Sequence, residues 1–170
     1  TQIDNGGAII AANDSDIRQY AKDTYSYMWP RDGALVSYAL MKAGYTTACR
    51  KFFDFCATTI TPYNFCASVM VESGFLLHKY NPDGSFGSSW HPWVKGEEIH
   101  VPIQEDETAL LLWAMWQYYD LYRKMEVIRP LYHSFIEKAA DFLVSYRDEQ
   151  TGLPLPSYDS GEESRGILPL

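Results

Sequence analysis

Apolar residues recur at helical spacing in several stretches of this chain, and polar, glycine- and proline-rich segments separate them. The first helix is expected over about 33–43, with Leu35, Tyr38 and Ala39 on one face and Gly44 as its stop. Just upstream, TYSYMWPRDG (24–33) alternates Tyr25, Tyr27 and Trp29 before a proline. Pro30 biases Trp29 towards an extended backbone. Asp32 then falls at the expected helix start, where its carboxylate is placed to cap. A second helix is expected over about 46–60, with Ala48, Phe52, Phe55, Cys56, Thr59 and Ile60 as its stripe and Pro62 just past its end. A short third is expected within 63–73.

The helical period fails over residues 74–103. NPDGSFGSSWHPW (81–93) reads as a long loop or a pair of short strands, and long loops in compact domains are often functional. Helix resumes at about 105–123, where Ala109, Leu112, Trp113 and Trp116 share a face. A last helix is expected over about 130–148, with Pro130 in its first turn and Leu131, Phe135, Phe142, Leu143 and Tyr146 as its stripe. From Thr151 onward the chain reads as loop. No strand–helix–strand alternation is visible, and no glycine-rich phosphate loop follows a strand. The organisation is all-α: helix pairs joined by long polar-aromatic loops, consistent with a helical array whose hairpins do not repeat in sequence.

Length and charge narrow the classes. A chain of 170 residues suits one domain, and 21% charged with 46% hydrophobic residues is a globular composition. No apolar run reaches the roughly 18 residues of a membrane span. The net charge of −8 argues against nucleic acid as a partner, because phosphate binding needs basic residues. The three cysteines, Cys49, Cys56 and Cys66, are too few for a disulfide framework. No CxxC or HExxH occurs, and the four histidines show no ligand spacing. Neither a metal nor another cofactor is expected. The opening TQIDNGGAII lacks the basic segment and apolar core of a secretory signal. The expected location is cytoplasmic, with secretion through a signal removed upstream left open.

Aromatic content changes the picture. Tyr, Phe and Trp make up 15% of the chain, and many stand beside Asp, Glu, Arg or His outside the helical stripes. Rings of this kind cover the apolar faces of sugars while charged groups bind the hydroxyls. They also fill cores, and composition leaves both readings open.

Three segments carry candidate chemistry. In WPRD (29–32), Arg31 offers a planar fork of donors and Asp32 accepts from adjacent hydroxyls, which suits a vicinal diol. The bland alternative is a cap with a surface ion pair. In SSWHPW (88–93) and QEDET (104–108), Trp90, His91 and Asp106 are candidate sugar contacts. A hydrogen-bonded loop histidine and a helix-capping aspartate are the ordinary readings of the last two. In YDSGEESRG (158–166), Asp159, Glu162 and Glu163 crowd together. Adjacent carboxylates disfavour each other's ionisation, so one can stay protonated as a general acid. A solvated acidic turn is the alternative.

The ordered segments GAIIAANDSDI (7–17), DTYSYMWPRDGALVSYAL (23–40), HKYNPDGSFGSSWHPW (78–93), PIQEDETALLLWAMW (102–116) and LPLPSYDSGEESRGI (153–167) resemble glycoside hydrolase family 15. These are the glucoamylases and their relatives among glucodextranases and trehalases, and the likeness is strongest to the prokaryotic branch. The resemblance implies part of an (α/α)6 barrel, a six-hairpin glycosidase-like fold with the active site in loops at one end. It implies that residues 1–170 form part of one catalytic domain. It implies exo-acting hydrolysis of α-linked glucosides with inversion by two carboxylates.

By the same resemblance, Glu162 is the general acid. Glu163 and Asp159 tune it and bind sugar, and Arg31, Asp32 and Trp29 hold the non-reducing glucose. The substrate implied is an α-glucan or oligosaccharide. Ser160 and Gly161 depart from the family pattern, where a large apolar residue and Trp precede the glutamates. The family's general base lies beyond residue 170, so this chain alone is expected to be inactive. Trehalase-type activity and a non-catalytic, glucan-binding or regulatory barrel are the alternatives. An incomplete barrel also implies self-association through uncovered stripes, with Trp113, Trp116, Phe135 and Phe142 at the raw edge.

Overall fold

The computed structural model describes residues 3–13, 25–60, 74–87, 94–95, 98–99 and 102–155. Helix α1 runs Pro30–Lys42, α2 Thr46–Thr59, α3 Glu105–Tyr122, α4 Met125–Ile128 and α5 Glu137–Ser145, with a π-helical turn at Tyr132–Ile136 leading into α5. Strands β1 (Val94–Lys95) and β2 (Glu98–Ile99) pair antiparallel. The described residues are therefore helix-rich, consistent with an all-α class. The expected helix at 63–73 lies outside them.

Helix α1 begins three residues before its expected start. Trp29 is extended (φ −97°, ψ 123°) and Pro30 takes the first helical position, where its missing N–H costs nothing. Asp32 lies in the first turn, not at the cap, and no side chain of the N-cap residue bonds the helix end. Its inner face is Pro30, Gly33, Ala34, Ser37 and Met41, not the expected Leu35, Tyr38 and Ala39. Leu35 is 50% exposed and Ala39 is exposed. Small residues turn inward because α1 lies tight on α2. A Cβ on Gly33 would stand 2.4 Å from Cζ of Phe52.

Helix α2 buries Cys49, Phe52, Phe53, Phe55, Cys56 and Thr59, close to the expected stripe. Cys49 and Cys56 are free thiols. Helix α3 buries Glu107, Thr108, Leu111, Ala114, Met115 and Tyr118. This face is rotated from the expected Ala109–Trp116 stripe. Leu110, Leu112 and Trp113 also pack partly against the core, so α3 is apolar nearly all round and its hydrophobic period does not select one face.

The last helix runs from Leu131 to Ser145 with a π turn at Tyr132–Ile136, and a turn at 129–130 separates it from α4. Leu131, Phe135 and Phe142 are nonetheless buried. Phe135 and Phe142 thus belong to the chain's own core, which corrects their expected place at an open edge. Trp113 is partly buried, its ring tilted against Tyr38 with centroids 4.8 Å apart, while Trp116 is 57% exposed.

Extended segments lie between α2 and α3. Bridges pair Met28 with Tyr80, Tyr80 with Phe86, and Leu77 with Ile103. Between Tyr80 and Phe86 the chain turns tightly. Asp83 accepts from Ser85 N–H and Oγ, and Asn81 donates to the Phe86 carbonyl. The start of the 81–93 segment is therefore an ordered hairpin turn. Past α5, residues 147–154 form another, with Arg147 bridged to Pro154 and Asp148 accepting from Gln150 and Thr151.

Candidate active site

The first turns of α1 and α3 meet. Helix α3 opens from an extended Gln104 (φ −126°, ψ 109°) with Glu105, Asp106 and Glu107 in its first turn. Carboxylates are favoured there, since unpaired N–H groups and the helix dipole make the N-terminus positive. Two of these three carboxylates reach across to Arg31 in the first turn of α1. The Arg31 backbone N–H donates to Glu107 Oε2, and Arg31 Nη1 donates to Asp106 Oδ2 at 2.6 Å. Arg31 Nη2 lies 3.8 Å from Glu107 Oε1. The cap missing from α1's own sequence is thus supplied by a carboxylate 76 residues away.

Burial divides the cluster. The side chains of Arg31 and Asp106 are about one-third exposed, while Glu107 is fully buried. Burial pushes the Glu107 carboxyl well above the usual carboxylate range. The Arg31 N–H and guanidinium oppose this without reversing it, and the charges of Asp106 and Asp32 add to it. Burial works against the Arg31 charge, but the Asp106 hydrogen bond and the Glu107 and Asp106 charges outweigh it and raise the guanidinium pKa. The Cys56 thiol is pushed up by burial and then by the Glu107 charge. Asp106 Oδ1 and Glu107 Oε1 are buried with no hydrogen-bond partner among the described residues.

An aromatic wall stands beside this cluster. Trp29 is half-buried, with ring contacts to Tyr25 at 5.8 Å and to Tyr27 at 5.7 Å. Lys79 is 3% exposed, and its Nζ lies 4.3 Å from the Tyr27 centroid and 5.5 Å from that of Trp29. Backbone pairing of Met28 with Tyr80 brings these segments together. Aromatic rings can stack on a sugar ring, and a fork of donors paired with an acid can bond its hydroxyls.

Of the residues singled out from sequence, Arg31 and Asp106 come together here, and Trp29 is the residue that precedes α1, two before Arg31. Asp32 is exposed on α1, close enough to act on the charges of Arg31 and Glu107. Trp90, His91, Asp159, Glu162 and Glu163 lie outside the described residues. Two participants are not among the sequence candidates: Glu107, one of three acids in QEDET, and Lys79, whose burial no local pattern signals. Among the described residues no group of three or more His, Cys, Asp or Glu is arranged to hold a metal, and no helix is long and apolar enough to cross a membrane.

Comparison with known proteins decides the family. The model described as glycosyl hydrolases family 15 matches residues 1–152. The chain belongs to this family. An uncharacterized glycosyl hydrolase of Methanocaldococcus jannaschii is 29% identical over 165 residues, 97% of this chain and 22% of that protein. The family 15 chain thus spans about a fifth of the relative it matches. No solved structure matches it significantly.

Proposed function

We propose that this family 15 chain supplies part of an (α/α)6 catalytic barrel, within residues 1–170, whose full protein hydrolyses α-glucosidic bonds. The substrate is an α-glucan or oligosaccharide, cut from its non-reducing end with inversion. The observation that carries the reading is the Arg31–Asp106 ion pair joining the first turns of two helices, with the half-buried Trp29 two residues before the arginine. Trp29 stacks on the terminal glucose. Arg31 offers its guanidinium to the hydroxyls, and Asp32 accepts from them. Trp90, His91, Asp106, Asp159 and Glu163 complete the sugar contacts.

Glu162 donates the proton to the glycosidic oxygen. Inversion requires a second carboxylate roughly 6.5–9.5 Å from the first, to activate water on the opposite face of the sugar. None in this chain is assigned that role, so the 170 residues alone do not turn over substrate. The test is the full-length protein on maltose, maltotriose and trehalose, with the anomer of the first-released glucose read by proton NMR. β-Glucose from maltotriose supports the reading. Cleavage of trehalose alone replaces it by trehalase-type activity, and glucan binding without cleavage replaces it by a binding or regulatory module.

A further inference from the structure

Arg31 is gripped at both ends by consecutive residues of α3. Asp106 takes its guanidinium at 2.6 Å, and Glu107 takes its backbone N–H. An N–H in the first turn of a helix has no acceptor within that helix. The Glu107 carboxyl fills this gap from a fully buried position, so the bond is sheltered from water. A side chain held only through its tip pivots about its Cα. Fixing the amide as well removes that freedom, and small displacements of binding groups are costly in enzymes.

The geometry points to Glu107 as a positioning residue that fixes the Arg31 backbone and thereby aims the guanidinium which, on the function proposed above, binds sugar. Glu107 itself touches no substrate. Its Oε1 is buried, and its nearest cationic neighbour is Arg31 Nη2 at 3.8 Å. The role needs an acceptor oxygen at this place rather than a charge, so glutamine is a partial substitute and alanine is none.

Two measurements on the full-length protein test this. The first is hydrogen exchange of the Arg31 amide by mass spectrometry, which requires no activity. The amide is expected to be protected in the wild type, exposed at least tenfold in Glu107→Ala, and largely protected again in Glu107→Gln. Equal protection in wild type and Glu107→Ala overturns the proposal, whatever the protein's activity. The second is maltotriose hydrolysis. Losing a bond of this kind lowers kcat/KM by about 10–100-fold. Glu107→Ala is expected to show that loss mainly in KM, and Glu107→Gln to lie between it and wild type. Unchanged KM in Glu107→Ala, with Arg31 exposed, overturns the link to sugar. A wild type that exchanges as expected but releases no glucose sinks the glycosidase reading and leaves the grip on Arg31 standing.

Discussion

Gly33 lies against the tip of the Phe52 ring. A Cβ at Gly33 would stand 2.4 Å from Cζ and 2.6 Å from Cε2 of that ring. Two residues after Arg31, this contact seats the start of α1 on α2 and so fixes where the arginine projects. In an exposed helix interior, Gly→Ala stabilises by about 1 kcal/mol. Overpacking of a filled core costs about 1–3 kcal/mol, and the Phe52 ring is fully buried. The clash therefore wins. Gly33→Ala is expected to lower the denaturation midpoint, and Phe52→Leu in that background to recover part of the loss. A Gly33→Ala protein more stable than wild type would show that the helices stand further apart.

Lys79 supports the aromatic wall. Its ammonium lies within cation–π range of both Tyr27 and Trp29, worth up to about 2 kcal/mol when desolvated. Lys79→Met keeps the stem and loses the charge, so a destabilisation of about 1–2 kcal/mol is expected. Trp29 fluorescence is expected to shift with it. Chemical denaturation measures the first and emission spectra the second. An unaltered midpoint and spectrum would mean that the lysine only fills space.

Glu107 gives a pH dependence whose sign can be worked out. Its folded-state pKa is raised, chiefly by burial. The folded protein therefore holds this proton at pH values where the unfolded chain has released it. Its contribution is fully present below the ordinary carboxylate range and is lost as pH rises towards the raised value. Arg31, Asp106, Asp32 and Cys56 face the same carboxyl and are present in both proteins compared. Glu107→Gln cannot ionise, so its melting temperature is expected to gain on wild type as pH climbs through that window and then to run parallel. Parallel curves throughout would mean that Glu107 titrates normally.

On the proposed mechanism, general acid catalysis contributes about 10²–10⁴-fold. Glu162→Gln is expected to lose that factor in turnover on maltotriose and to recover on α-glucosyl fluoride, whose leaving group needs no proton. Glu163→Gln is expected to weaken binding without that recovery. Recovery in Glu163→Gln alone would move the acid one residue along the chain.

Legibility in the sequence followed how one-sided each segment is. Helix α2 has polar residues opposite its aromatic stripe, so Phe52 and Cys56 could be placed correctly; Phe135 and Phe142 were legible as a stripe, but not that the chain itself covers them. In α1 the buried side consists of Gly33, Ala34 and Ser37, which hydrophobicity scarcely registers, so its large apolar residues misled. Arg31 and Asp106 were each visible as candidates because charge at a helix start is conspicuous. Their pairing was not, nor was the burial of Glu107. Those depend on two helix ends meeting across 75 and 76 residues, which no local pattern encodes. The π turn at Tyr132–Ile136, which holds the buried Phe135, likewise has no counterpart in the helical pattern of the sequence.

The long reach from Glu107 to Arg31 has a consequence during synthesis. A ribosome adding about 5–20 residues per second needs roughly 4–15 s to travel the 76 residues between them. Through that interval α1 has left the tunnel, or is leaving it, without its terminal acceptor. The start of α1 at Arg31 is therefore completed by a later part of the nascent chain. A stall between the two codons would release a helix whose leading end is still open to water and to chaperones.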